Sequence, residues 1–598
     1  MNKSGEQGYE SLIKWLEEKH PGFKSNLYLR EVPGLERGLT SSHKLQAGDT
    51  LLHIPSTCML NPLTLLPNSP IPKHLFPQTQ PSSSSSSKAS VSNTSRSPSE
   101  AKRARISLST SSSSSPSRKL DTTQLLTLHL ALTKDPKHRY ESDWKVYIDT
   151  LPQSFRPWHP LTWVVKPDLD EDEEDWKWWN CLYQIGLSES AKMKIDDVRE
   201  RFEKDYEILI EVLKEEDPFK SQNLVKEIGK EEILWAWLNV NTRSISIPLN
   251  IPGPSERNNH TLVPIMDFIN HSSDPSIITP RVKQLAAPSR QRTRSTSKPS
   301  TASTDSVFLP SPPLTNASAN GSRLGTANGT GIGLRKADQH LLPGKIDLRL
   351  VCPDRGLDEG EEVFFEYGGH SSEMLFAEYG FCEIPKTPVP TSSKRDLHDE
   401  TDIKVEGLND GSLTSVTQVN RDGDQKPNDE DTTGWLTMRY GEVDVTPYIR
   451  ELWDEQDDEE QEEKKQVLEG IGCWGGNTLH ASPSPPHPAH SLLMTLRVLH
   501  LPSTSPRLPN VSKGLVTYVS PSNETSAMLT LEDICKGAVK NAEKRSKVVQ
   551  RLDVDVKDKL QSDTEKKGIL QMLKAMCQEE QVICKAVLER LENGEEFS

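Results

Sequence analysis

Paired cysteines are missing from this chain. Its eight cysteines include no CxxC or CxC spacing, which excludes a zinc ribbon and a dense disulfide framework. They are expected to be buried free thiols of an intracellular protein. Long apolar runs are missing too. None approaches ~20 residues, the length a membrane-spanning helix needs, and the opening MNKSGEQGYESLIKWLEEKH has no signal-peptide core. Only 33% of the 598 residues are hydrophobic, and 43 are proline. Such averages describe a globular protein diluted by polar tracts. A basic excess is also absent. The formal net charge of −16 argues against nucleic acid as a partner and permits a basic protein instead. The expected setting is cytoplasm or nucleus, without membrane or metal.

Three tracts account for the dilution. Residues 78–119 are dominated by serine, residues 277–344 by Ser, Thr, Pro, Asn and Gly, and residues 391–432 by charge with almost no aromatic side chains. Their composition buries too little apolar surface to offset backbone entropy, so they read as disordered inserts and a disordered linker. What remains suffices for two modest domains.

That remainder is periodic. Tyr9, Leu12, Ile13 and Leu16 follow helical spacing. Residues 34–55 read as short strands between glycine turns. Residues from about 121 to 255 read as a helical insert, and strands return at TLVPIMDFI, KIDLRLVC and EEVFFEYG. A short helix, SSEMLFAEYGF, closes this region at about residue 390. Residues 433–598 read as a mainly helical domain, with a last helix from about Thr564 to Leu591. The class is α+β: a β-rich domain with a helical insert, then a helical domain. Two acidic runs, residues 168–176 and 453–465, read as solvated loops.

The stretch VPIMDFINHSSDPS (263–276) carries the sharpest question. Apolar residues announce buried backbone, yet Asp267, Asn270, His271 and Ser272 crowd among them. Buried polar groups need partners, so these four stitch a turn or hold a ligand. Three other segments share its character. Glu36-Arg37-Gly38-Leu39 brings backbone close to a small ligand or forms a plain turn. Arg243 ends an apolar helix, where it caps the helix dipole or holds a carboxylate. In GEEVFFEYGGHSSEMLFAEYGF, a strand delivers Tyr367, and a helix ends at Tyr379-Gly380-Phe381.

In this order the four segments resemble the SET-domain protein methyltransferases. The nearest subclass is that of RuBisCO large-subunit methyltransferase and the fungal ribosomal-protein lysine methyltransferases. The matching motifs are Arg37-Gly38-Leu39, Asn270-His271-Ser272, Tyr367-Gly368 and Tyr379-Gly380-Phe381. The resemblance implies S-adenosylmethionine as cofactor and a protein lysine as substrate, for example in a ribosomal or other basic protein, with the chain acting as a monomer. It implies that Tyr367 is catalytic and that Glu36, Arg37, Gly38, Asn270, His271, Tyr379 and Phe381 bind cofactor. Arg243 would join them or stand beside the substrate, and Asp267 would sit near the substrate lysine. The helical residues 433–598 would resemble the family's substrate-binding domain.

Three positions depart from the family pattern. Ser372 stands where Asn is usual, Ile247 where the nearest relatives have a second Arg, and between Ser272 and Val363 the sequence has no aromatic except Phe308. Methylation of histidine, or a degenerate scaffold, therefore stand as alternatives to lysine methylation.

Overall fold

The computed structural model describes residues 5–30, 37–77, 118–138, 140–166, 173–247, 249, 251, 256–274, 281–286, 346–385, 438–559 and 564–597. The chain divides into two compact units. One is Met1–Phe381 with Ser562–Lys567, and the other is Cys382–Gln561 with Gly568–Ser598.

The first unit opens with α1 (Gly5–Lys19), which buries Tyr9, Leu12 and Leu16 from a single face. Four short strands follow: β1 (Lys24–Ser25), β2 (Leu27–Arg30), β3 (Gly38–Ser41) and β4 (Thr50–Ile54). β2 and β3 pair antiparallel, with Arg30 opposite Gly38. The helical insert then begins at Asp121, whose carboxylate accepts from the Gln124 amide in a capping box that starts α2 (Thr122–Lys134). After it come α3 (Lys145–Ile148), α4 (Glu189–Glu215) and α5 (Lys230–Arg243). One buried carboxylate, on α4, ties α2 and α5 to it. Asp205 accepts from Gln124 Nε2 at 2.9 Å, Trp237 Nε1 at 2.8 Å and Arg257 Nη2 at 2.5 Å.

Past α5 the chain returns to strands: β5 (Ser244–Ser246), β6 (His260–Leu262), β7 (Asn270–His271), β8 (Arg281–Ala286), β9 (Ile346–Val351) and β10 (Phe364–Phe365). β1, β4, β9 and β8 form one four-stranded sheet in that order. The two-residue β7 and β10 pair parallel. Then α6 (Ser372–Tyr379) leads out of the unit.

β8 corrects one sequence expectation. It lies inside residues 277–344, yet all six of its residues pair antiparallel with β9, Arg281 opposite Val351 and Ala286 opposite Ile346. The segment RVKQLA is too short to shift the composition of the tract around it, but six residues suffice for a strand. The rest of that tract, with Phe308, and residues 391–432 lie outside the described residues. Of the first tract, only residues 118–119 are described, and there Arg118 pairs with Glu211 at 2.6 Å.

The second unit is not helical throughout. β11 (Glu442–Asp444), β12 (Thr478–His480) and β13 (His487–Pro488) form an antiparallel sheet. Its core joins Val443 and Leu479 of that sheet to α7 (His490–Leu499), α8 (Pro521–Lys559) and α9 (Thr564–Glu592), through Leu492, Leu531, Ile583 and Val587. The acidic run at 453–465 is helical except at 455–457, where one helix ends and the next begins. Asp457 caps the helix Asp458–Gly470, whose acidic first turn suits the positive end of the helix dipole. Within it Lys464 is buried and donates to the Leu499 carbonyl at 2.8 Å. Of the eight free cysteines, Cys181 is exposed and the others are buried. Among the described residues no helix is long and apolar enough to cross a membrane.

Candidate functional site

The parallel pairing of β7 with β10 sets Asn270 opposite Phe364 and His271 opposite Phe365. Tyr367, two residues beyond β10, therefore emerges beside the Asn-His-Ser turn. Its amide donates to His271 Nδ1 at 3.0 Å, and its hydroxyl donates to the Ile269 carbonyl at 2.7 Å. Three rings surround it: His271 at 5.1 Å between centroids, Tyr379 at 5.3 Å and Phe381 at 6.1 Å. Burial holds the Tyr379 hydroxyl well above its ordinary titration range.

Tyr379 is the last residue of α6 and Phe381 follows its cap, and α4 holds that helix in place. Glu373 accepts from Ser190 Oγ at 2.7 Å and Lys194 Nζ at 3.0 Å, and Arg201 donates to Glu378 at 2.5 Å. The helix stops at Gly380, whose φ of 83° suits glycine. A Cβ there would lie 2.8 Å from the Trp158 carbonyl. The adjacent His159 is buried, with Nε2 bonded to the Glu378 carbonyl at 3.0 Å and Nδ1 accepting from the Leu161 amide at 3.2 Å.

On the other side, Asn270 Nδ2 donates to the Arg37 carbonyl at 3.2 Å and to Glu362 Oε1 at 2.9 Å. Gly38 is pressed against both partners: a Cβ would lie 2.9 Å from Asn270 Nδ2 and closer still to Glu362 Oε1. The Arg37 guanidinium donates to the Thr150 carbonyl at 3.1 Å and stacks 4.7 Å from the Phe268 ring centroid. Glu36 lies outside the described residues.

Asp267 follows a strained turn, since the β-branched Ile265 sits at φ 73°. Arg243 Nη1, at the end of α5, donates to the Asp267 carbonyl at 2.9 Å and to its Oδ2 at 3.3 Å. Arg243 is thus tied to Asp267. The Tyr147 hydroxyl donates to the same Oδ2 at 3.0 Å. Asp267 Oδ1 and Arg243 Nε are buried without hydrogen-bond partners among the described residues. Burial pushes the Asp267 carboxyl upward against the lowering pull of Arg243. A small cavity of about 30 Å³ opens between these groups and Tyr367, walled by Arg243, Ile245, Asp267, Ile269 and Phe365.

The fold has counterparts. Over the whole chain the structure is similar to the crystal structure of the SET domain of LSMT bound to lysine and AdoHcy. The two share a TM-score of 0.50 and 14% identity, covering 99% of this chain and 92% of that one. The chain has the SET-domain fold. Residues 455–583 match the family model described as Rubisco LSMT substrate-binding. In sequence the chain is similar to SET domain-containing protein 4 of Mus musculus, 23% identical over 400 residues. That match spans 66% of this chain and 63% of the mouse protein's length.

Within the SET domain, Tyr367, Asn270, His271, Tyr379 and Phe381 form one cluster, Arg37 and Gly38 adjoin it through Asn270, and Arg243 with Asp267 border the cavity beside Tyr367. Sequence reasoning missed Tyr147, Glu362 and Thr150. Tyr147 and Thr150 sit in stretches with no motif signal and reach the site through tertiary packing, whereas Glu362 lies within the segment that delivers Tyr367, where nothing in the spacing singled it out. The departures also have places. Ser372 is buried with a hydroxyl lacking a hydrogen-bond partner among the described residues, and Ile247 is buried. Among the described residues, the aromatic side of the cavity comes from Phe365 and Tyr367.

Proposed function

We propose that this chain transfers methyl groups from S-adenosylmethionine to the side-chain amine of a lysine in a protein, non-histone rather than histone. The observation that carries the reading is the convergence of the Tyr367 hydroxyl, the Ile269 carbonyl and Asp267 at one small cavity. The crystal structure of the SET domain of LSMT holds lysine and AdoHcy, which agrees with that reading.

The residues fit such a cofactor. At Gly38 the place of a side chain is taken by Glu362 and Asn270, so the glycine lets Asn270 close against the Arg37 backbone beside the site. Arg37 and Asn270 stand next to it, and the Tyr379 and Phe381 rings offer apolar faces to an adenine. When bound, the cofactor supplies a methyl group already activated by positive sulfur. The chain's own residues then have two tasks: to align the amine and to keep it neutral. A free lysine has a pKa near ~10.4, so deprotonation at neutral pH costs about 4 kcal/mol. A cavity walled by Ile245, Ile269 and Phe365 disfavours the ammonium by desolvation. Alignment by Tyr367 and the Ile269 carbonyl would contribute several kcal/mol more, with C–H···O contacts holding the polarised methyl.

A basic protein as substrate fits the net charge of −16, and action as a monomer in cytoplasm or nucleus belongs to the same proposal. The test uses the full chain, radiolabelled S-adenosylmethionine and a lysate from cells lacking this protein, with mass spectrometry of the labelled proteins. Label on lysine is expected. Label on histidine would favour that alternative, and no label at all would favour the scaffold.

A further inference from the structure

Tyr147 belongs to none of the motifs that marked the site. It lies on α3, fully buried, and its hydroxyl donates to Asp267 Oδ2 at 3.0 Å. Arg243 reaches the same oxygen from α5 at 3.3 Å and holds the Asp267 carbonyl at 2.9 Å. Oδ2 is therefore satisfied from two elements, while Oδ1 is buried with no hydrogen-bond partner among the described residues. An unpaired carboxylate oxygen is costly to bury, and one at the wall of a cavity calls for an explanation. Asp267 shares its cavity wall with Tyr367, and the cavity has room for about one small group.

We infer that Tyr147 is a positioning residue: with Arg243 it pins Asp267 Oδ2, so that Oδ1 takes the proton an incoming ammonium must lose. The step rests on the methyl-transfer reading. One N–H bond of the ammonium breaks, its electron pair stays on nitrogen, and the proton bonds to Oδ1. The products are a neutral amine and a neutral carboxyl, which returns its proton to water before the next turnover.

The groups facing Asp267 set the sign of the pH dependence. Arg243 from α5, Arg37 ahead of β3 and the Tyr147 hydrogen bond all favour the charged carboxylate, whereas burial opposes it more strongly. Glu366 and Tyr367 line the same cavity. A carboxyl raised toward neutrality is better matched to general-base work than an ordinary one. Removing the Tyr147 hydroxyl withdraws support from the charged form, so the carboxyl must titrate at still higher pH.

The test compares wild type, Tyr147→Phe and Asp267→Asn as full chains. Single-turnover transfer to the acceptor protein found by labelling is followed across pH, and cofactor affinity and melting temperature report folding. Tyr147→Phe should move the acidic limb of the rate profile to higher pH, losing about tenfold at low pH and recovering as pH rises. Asp267→Asn should lose roughly a hundredfold or more and show no such limb. A second readout needs no turnover. In cofactor-free protein with 13C-carboxyl aspartate, the signal absent from Asp267→Asn should titrate higher in Tyr147→Phe. An unmoved signal would overturn the positioning role. A moved signal with an unmoved rate limb, or a rate lowered equally at every pH, would overturn the proton-acceptor role and leave methyl transfer standing. A wild type that labels nothing would overturn both.

Discussion

At the scale of single residues, the site rests on one hydroxyl with a short bond to a backbone carbonyl. Tyr367→Phe removes that hydroxyl and keeps the ring among His271, Tyr379 and Phe381. An interaction made mainly in the transition state lowers turnover more than ground-state binding. One charge-stabilising contact of this kind is worth roughly 3–4 kcal/mol, or a hundredfold to a thousandfold in rate. The variant should fold and bind cofactor nearly as wild type does, with single-turnover transfer reduced by that factor. Near-normal transfer would remove Tyr367 from the chemistry. Tyr367 and Asp267 were legible in sequence because their neighbours form ordered motifs. The link from Asp267 to Tyr147 was not, since the two lie far apart in the chain and meet only once the insert has packed.

At the scale of elements, α6 shows how an end is fixed. Gly380 combines a φ of 83° with backbone of Trp158 and His159 where a Cβ would stand. Gly380→Ala should therefore cost roughly 1–3 kcal/mol in denaturant unfolding and weaken cofactor binding through Tyr379 and Phe381. A fully stable variant would show that α6 can end another way. His159, beside that cap, makes the unit sensitive to acid. Both its nitrogens are engaged as a neutral ring, and burial lowers its pKa to about 4, as it does for His129 on α2. An unfolded histidine titrates near ~6.5. As pH falls from there, the unfolded chain takes up protons that the folded chain refuses, so stability is lost down to about pH 4. The loss should reach roughly 3 kcal/mol for each histidine, measured by urea unfolding across that range, and His159→Gln should shrink it.

The elements also mark where sequence reasoning gave out. Helices with apolar faces, such as α1 and α9, declared themselves through spacing. β8 stayed hidden because six residues of ordinary composition carry little weight beside their polar flanks. The sheet β11–β13 was missed for a related reason, being built from strands of only two or three residues. Pairing partners, rather than local propensity, make such strands.

At the scale of the whole molecule, the register of β8 and β9 fixes what can be cut away. Ala286 and Ile346 are direct partners, so a turn of a few residues can join them. Replacing residues 287–345 by a short Gly/Ser turn should preserve melting temperature and cofactor affinity, because loop closure depends only weakly on length. Deleting residues 277–344 instead removes β8 and leaves β9 with an unpaired edge, and that protein should aggregate or melt lower. Equal behaviour of the two deletions would mean that β8 adds nothing to the sheet.

The same hairpin gives the molecule a natural seam. Residues 1–286 and 346–598 meet along a complete antiparallel ladder, and the candidate site draws on both sides: Asn270 and Asp267 from one, Tyr367 and Tyr379 from the other. Two separately encoded fragments broken at this seam would each carry half of the site and be inert alone. Fused to a pair of proteins that associate on command, they would regain cofactor binding only when brought together, which would make this hairpin a place to install an external switch.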